Sequence, residues 1–510
     1  MKSSLVGRIR LSIVALSLCS VAASLAQPAA GPLTIQGLDQ HVITGARSRA
    51  MGGTTAANAN DALALFSNPA ALSTLSAFEI RGGGLFGVVF RKQTQEWVPF
   101  MSNPGLSVLF EGLTDSIPVP LDSLGNPLSP WQTLQKQYDN LKPNWDRSSS
   151  SAQPFSLAAA LPLEIADVKI TAGIGISQVI DLDHFYQNNN ALSPYLGQLR
   201  PDPKIITKPL DTVDAQWYQY VRERTGSIYG VAPGFSVSLL PGLAIGGSAT
   251  MLTGSSDDKE HRVERGHIFL ATNNKATAND FLLDTVYYQQ TKIGTSDYAG
   301  TMFTLGMRFQ SDRYSIGMSI RPSYTLTRTW ERTVTSLDTT KKDFPVRIDS
   351  LTTRSYQESG EEKLTFPFAY SLGIVLTPTD RWTLAFDYEV RNLADMELTS
   401  SGSDSASRPW VNTYATLHVG AEYRVNTMLA LRGGYYEDIQ AFSPDGSAIF
   451  GEPARGGVYT LGAGLVLGDI LVDLTYEYAS LQYQDIYQSN VNYNSRERHQ
   501  FLIEFAYRFQ

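Results

Sequence analysis

Enzyme and metal chemistry are the first things this chain leaves out. Its only cysteine, Cys19, lies in an N-terminal apolar run, and its six histidines are scattered. His261 and His267 sit in a charged stretch, not at a ligand spacing on a helix. Loss of the N-terminal run leaves no disulfide, thiol nucleophile or cysteine-bound metal. GxSxG, HExxH, Walker-type and calcium-loop patterns are missing. Gly82-Gly83-Gly84-Leu85-Phe86-Gly87 spells GxGxxG but opens no helix, so the dinucleotide reading fails. Barrel lipases and proteases draw their groups from separate strands, yet no nucleophile, base and oxyanion donors assemble here. We assign no catalytic residue, no metal and no cofactor.

Basic runs are lacking as well. The formal charge of −8 becomes −11 once Lys2, Arg8 and Arg10 leave, which argues against nucleic acid as a partner. Beyond the N-terminus there is no stretch of about 18 apolar residues, so a spanning helix is not expected. That leaves a β-barrel open, because its strands alternate and its lumen is polar.

Residues 1–26 read as an export signal. Lys2, Arg8 and Arg10 give the basic start, Leu11–Cys19 the apolar run, and Ser24-Leu25-Ala26 the cleavage site before Gln27. Cys19 follows Leu18, not a small residue, which disfavours a lipoprotein.

What the chain does have is aromatics in alternating runs: Tyr 25, Phe 22 and Trp 7. Phe501, Ile503, Phe505, Tyr507 and Phe509 alternate with Gln500, Leu502, Glu504, Ala506 and Arg508. Ile470–Ala479 and Trp382–Arg391 repeat the pattern, which requires two faces in different solvents. Short turns are expected at Glu164–Val168, Leu240–Gly242, Ser311–Arg313, Pro378–Asp380, Asn426–Thr427 and Gly468-Asp469. Longer connections are expected near 92–153, 181–227, 254–297, 332–363, 392–411, 439–456 and 483–497. These connections separate fourteen strands. The expected fold is all-β, a 14-stranded antiparallel transmembrane barrel at 76–510 with an N-terminal plug at 27–75. A soluble sandwich would also alternate, but the charged partner face and the short/long rhythm of connections favour the barrel.

Ala46–Leu72 breaks the strand pattern. Met51-Gly52-Gly53 predicts a tight backbone passage, since glycine accepts positive φ. Ala56–Leu65, free of β-branched residues, predicts a short helix that Pro69 stops at Asn68. The segment, with Asn68-Pro69-Ala70, resembles the N-terminal plug of FadL-type outer-membrane transporters. Phe366–Val390, Leu417–Asp438 and Tyr459–Tyr478 resemble that family's later hairpins, including the stretches His418–Arg424 and Leu431–Asp438. The last strand resembles the C-terminal signal of the barrel-assembly machinery, although it ends Phe509-Gln510. The resemblance implies a monomeric barrel in a Gram-negative outer membrane, in contact with its lipid. It also implies transport of fatty acids or hydrocarbons and an exit through the wall near the third strand. The same fold resembles the PorV-type shuttle of type IX secretion, and a non-selective porin is a third possibility.

Other residues bear on a ligand path. Strands two to five present small inward residues, including Ser156, Ala158, Ala160, Thr171, Ser177, Ala232, Ala244 and Ser248, against which a plug would pack. Gly173, Gly175 and Pro233 weaken a ladder, as at ordinary barrel bends. They also suit a local break between strands three and four. Ser129-Pro130 opens a helix carrying Trp131, Leu134, Tyr138 and Leu141, and Trp217 and Tyr218 mark a second loop helix. Both are candidates for capturing an apolar ligand. Arg391, Glu389, His418, Glu422, Arg424, Arg432, Asp473, Glu477, Glu504 and Arg508 are expected to form an ion-pair network anchoring the plug.

Overall fold

The computed structural model describes residues 33–97, 142–166, 168–189, 195–196, 212–272, 279–284, 288–341, 348–401, 405–410, 413–442, 454–487 and 490–509. The export signal and the first loop helix, with Trp131, Leu134, Tyr138 and Leu141, lie outside the described residues.

Fourteen antiparallel strands close on themselves. They are β1 (Phe78–Trp97), β2 (Trp145–Ile165), β3 (Val168–Asp181, resuming at His184–Asn188) and β4 (Thr212–Leu240). Next come β5 (Leu243–Thr272), β6 (Asn279–Asp284 and Tyr288–Gln310), β7 (Tyr314–Arg321 and Tyr324–Lys341) and β8 (Ile348–Phe366 and Ala369–Thr379). β9 (Trp382–Arg391, then Glu397–Ser400), β10 (Tyr414–Arg424), β11 (Leu429–Ile439), β12 (Arg455–Leu467), β13 (Ile470–Tyr487) and β14 (Asn490–Phe509) complete the wall. β14 pairs with β1 from Phe78↔Phe509 to Trp97↔Asn490, so the wall has no terminal edge. On β14, Phe501, Ile503, Phe505, Tyr507 and Phe509 are exposed, whereas Leu502, Glu504 and Ala506 are buried. The aromatic face is therefore the lipid face, and the charged face looks inward.

Several expected connections are strand instead. β5 and β6 stay paired as far as Glu264↔Tyr288, and β7 and β8 as far as Lys341↔Ile348. β4 and β5 run 29 and 30 residues, where about ten cross a membrane. Their outer halves thus stand as hairpins above the bilayer. Trp217 and Tyr218 belong to β4 and not to a helix: aromatic and β-branched neighbours fit a pleated surface better than a helical turn.

The expected weak point also shifts. Gly173 and Gly175 pair in register with Gly234 and Ala232, so the β3–β4 ladder does not break there. Pro233 interrupts its other side, where the β4–β5 ladder passes from Val231↔Met251 to Gly234↔Ser248. Pairing is lost between β2 and β3. Their ladder ends at Ser156↔Ser177, although β1 holds β2 as far as Trp145. Above that point β3 turns toward the lumen. Val42 N donates to Val179 O at 2.9 Å and Asp181 N to Gln40 O at 3.0 Å, replacing bonds β2 would have made. The gap holds a cavity of about 250 Å³ lined by Arg91, Ser149–Ser151, Asp183, His184 and Glu223, among others.

Candidate functional site

Residues 33–75 thread the lumen. Near the tall end, Leu33 N donates to Glu260 at 3.0 Å, and Arg224 donates to the carbonyls of Thr34 and Gln36 at 3.0 and 2.9 Å. At the short-turn end the chain enters β1. In between it forms an α-helix at Ala46–Ala50 and two 3-10 helices, Ala62–Phe66 and Pro69–Thr74. The single helix expected over Ala56–Leu65 is not formed. Asp61 instead caps a new turn by accepting from Leu63 N at 3.0 Å, the competition with helix geometry that short polar side chains exert. Nor does Asn68 end a helix. It begins one, accepting from Ala70 N at 3.1 Å with Pro69 at the first helical position, and it donates to Met307 O on β6 at 3.2 Å. Met51-Gly52-Gly53 is the tight passage expected, with φ of 65° at Gly52 and 75° at Gly53. Wall glycines let it in: a Cβ at Gly434 would lie 2.6 Å from Gly52 Cα.

The lumen is divided into two halves of different chemistry. On the β9–β1 side the segment is held by buried charges. Arg49 pairs with Glu477 at 2.8 Å and Arg47 with Glu422 at 3.1 Å. Arg432 bridges Glu422 and Asp473 at 2.8 and 2.6 Å, and Arg81 joins Asp473 and Glu504 at 2.8 and 3.3 Å. Backbone amides of the segment also reach wall carboxylates: Ala46 to Glu504, Ala62 to Glu79, and Thr55 and Ala56 to Asp387. The expected network is present, with one exception. Arg424 is exposed at the short-turn end and joins no luminal pair. Arg47, Arg49, Glu79, Arg81, Asp387 and Arg498 were missed. Arg47 and Arg49 stand two apart in an otherwise small, neutral stretch, and that spacing was the available signal.

The β3–β8 side is apolar. Leu63, Leu65, Phe66 and Leu72 of the segment pack with Val179, Ile180, Ile228, Ala232 and Met302 of the wall. The same cluster continues upward through Tyr324, Leu326, Leu364, Phe366, Leu393, Met396 and Trp410. Ser248 Oγ donates to Leu65 O at 2.7 Å, and a Cβ at Gly175 would meet Phe66 at 3.2 Å. The small wall residues thus admit the segment, as expected. Each large apolar side chain buried here contributes about 1.5–3 kcal/mol.

The chain resembles solved barrels over nearly its whole length. It matches a Pseudomonas aeruginosa FadL homologue at 14% identity, covering 90% of this chain and 96% of that one, with TM-score 0.55. It matches the P. putida toluene transporter TodX at 15% identity, covering 92% and 99%, with TM-score 0.54. This is the FadL/TodX-type barrel fold. A family model described as BamG matches residues 209–433, under half of the chain. No curated protein matches in sequence. A FadL/TodX-type barrel is an outer-membrane architecture, and among the described residues no cluster of His, Cys, Asp and Glu has the makings of a metal site.

His41 contributes a pH dependence to the seating within this FadL/TodX-type fold, opposed by Asp39, whose carboxyl is raised above its ordinary value by burial. Burial, with Arg391 and Arg321 nearby, holds His41 well below its ordinary value of 6.5. The seated segment therefore keeps His41 neutral, while a released segment protonates near 6.5. The contribution of His41 is full above that pH and is lost as pH falls through it. Hydrogen exchange of residues 38–44, corrected for intrinsic rates, should rise more on going from pH 7.5 to 5.5 in the native protein than in His41→Gln, and equal rises in the two would contradict the role of His41.

Proposed function

We propose that this protein is an outer-membrane channel for small hydrophobic compounds, with residues 33–75 as a plug that closes it at rest. The observation that carries the reading is the continuous apolar column on the β3–β8 side, running from Trp410 and Phe366 past Met302 and Phe66 to Leu72 and Leu75. A porin for polar solutes has no use for such a column, whereas an apolar molecule crossing beside a displaced plug stays out of water throughout. The shared fold with a toluene transporter and a FadL homologue agrees with this. Met51-Gly52-Gly53 and Asn68-Pro69-Ala70 are then the plug's fixed points, one against β10 and β11, the other against β6.

The gap between β2 and β3 supports a lateral exit into the outer leaflet. Gly173, Gly175 and Pro233 lie below and beside it, and their contribution is to let Leu65 and Phe66 approach the wall and to loosen β4. Filling the gap with Ser149→Trp and Ser151→Trp should lower hydrophobic uptake about tenfold without altering assembly. The reading as a whole is tested in proteoliposomes with labelled toluene, labelled dodecanoate and sucrose. Uptake of either apolar probe with sucrose retained supports it. Sucrose leakage at the same rate would make the protein a porin.

The height of β4 and β5 favours a second reading, in which the hairpins dock another protein, as in the PorV-type shuttle. Under it, neither apolar probe is taken up.

A further inference from the structure

The cavity between β2 and β3 is lined by charge, for which an apolar molecule has no use. At about 250 Å³ it exceeds one water's share of about 30 Å³ severalfold, so a small headgroup has room there. β1 and β2 supply Arg91, Ser149 and Ser151 to it, and β3, where it turns inward, supplies Asp181, Asp183 and His184. The other charges in the lining are matched: Arg147 pairs with Glu223, and Arg224 holds Asp258 at 2.7 and 2.8 Å.

Arg91, Asp181 and Asp183 are not matched. Arg91 donates to Ser149 Oγ at 3.1 Å, Asp181 accepts from Asp183 N at 3.1 Å, and Asp183 accepts from Gly226 N at 3.3 Å. Among the described residues, none of the three has an opposite charge within ion-pair reach. Burial and the neighbouring Arg496 bring the Arg91 guanidinium down to about 10, while burial and Asp181 push the Asp183 carboxyl up to about 6. Each shift marks a charge without its counter-ion. His184 Nε2, on the same wall as the carboxylates, is buried and has no hydrogen-bond partner.

The height of the cavity names its neighbourhood. Phe90 and His499, with ring centroids 5.8 Å apart, and the exposed Phe86 mark the outer aromatic belt. The Phe78–Phe509 stack marks the inner one. Arg91 directly follows Phe90, so the cavity opens where lipid headgroups lie.

We propose that this cavity seats a zwitterionic aminoalkyl phosphate of the phosphoethanolamine type, its phosphate on Arg91 and the two serines and its ammonium on Asp181 and Asp183. Guanidinium matches phosphate in bidentate fashion, and an ammonium carries three donors for the carboxylates. A simple anion would leave two carboxylates unmatched and be repelled by them, and a simple cation would leave Arg91 bare. The outer leaflet offers such a headgroup on a lipid, and a soluble aminoalkyl phosphate offers the same two charges. The site is independent of what passes along the apolar column.

The test titrates the full-length protein in non-ionic detergent and counts bound molecules by native mass spectrometry. The probes are diheptanoyl phosphatidylethanolamine, diheptanoyl phosphatidylglycerol and free O-phosphoethanolamine. The ethanolamine lipid should bind about tenfold more tightly than the glycerol lipid, and Arg91→Met should weaken it about tenfold. Asp181→Asn/Asp183→Asn should abolish the preference between the two lipids. Asparagine still accepts the two backbone bonds and neither variant breaks an ion pair, so heat-modifiable migration should be unchanged. Free phosphoethanolamine that binds as tightly as the lipid supports a soluble ligand, and binding about tenfold weaker supports the lipid. Equal binding of the two lipids by the native protein would overturn the proposal. So would ethanolamine-lipid binding that neither variant moves, or no binding of either ethanolamine compound.

Discussion

Gly434→Val combined with Gly420→Val should convert a closed barrel into a leaking one. The backbone of Met51-Gly52 lies directly on these two glycines: a Cβ at 434 would sit 2.5 Å from the Met51 carbonyl carbon, and one at 420 would sit 2.7 Å from it. Backbone cannot step aside as a side-chain tip can, so the clash is relieved only by lifting the segment. Overpacking of this kind costs about 1–3 kcal/mol per site, which shifts the seated fraction about five- to hundredfold. The strands themselves gain a β-branched residue and lose nothing. The expected phenotype is leakage of sucrose from proteoliposomes, with heat-modifiable migration of the barrel unchanged. Retained sucrose would mean that the segment does not depend on this approach.

Glu477→Gln should release the segment by another route. Glu477 accepts from Arg49 at 2.8 Å and Arg498 at 3.0 Å; Glu477 and Arg49 are buried, and Arg498 is partly exposed. The buried pair adds little net stability. Breaking it, however, strands the buried Arg49 guanidinium, at a cost of about 3–5 kcal/mol, while Arg498 reaches solvent. A cysteine reporter reads the result: Ala57→Cys is fully buried when the segment is seated. Its maleimide labelling from the short-turn side should rise about a hundredfold or more in Glu477→Gln. Removing both partners in Arg49→Met/Glu477→Met should restore protection, because an apolar pair of similar volume fits the same space. Equal labelling in the single and double variants would contradict the role given to this pair.

Much of the wall was legible because alternation is local. The β14 run from Gln500 to Phe509 states its two faces residue by residue, and Gly52-Gly53 states its positive φ. The charged half was legible as a set but not as pairs, since Arg49 finds Glu477 only after some 430 residues of chain have closed the barrel. The places misjudged share that non-local origin. β3 leaves β2 because Gln40 and Val42 offer it hydrogen bonds from inside the lumen, which no pattern within Val168–Asp181 announces. Trp217 and Tyr218 are strand because β5 pairs with them across a tall hairpin. Arg91, Asp181 and Asp183 share one cavity because β3 leaves β2, and nothing in the separate stretches marks them.

The central claim is that residues 33–75 must leave the wall for an apolar compound to pass. Leu65 and Ser248 offer a direct test, since Ser248 Oγ lies 2.7 Å from the Leu65 carbonyl. Leu65→Cys/Ser248→Cys can be locked with a reducible bis-maleimide cross-linker and freed by reduction in a mature chain expected to hold no other cysteine. Dodecanoate uptake into proteoliposomes should stop on cross-linking and return on reduction. Uptake that continues at the same rate through the locked barrel would contradict the account.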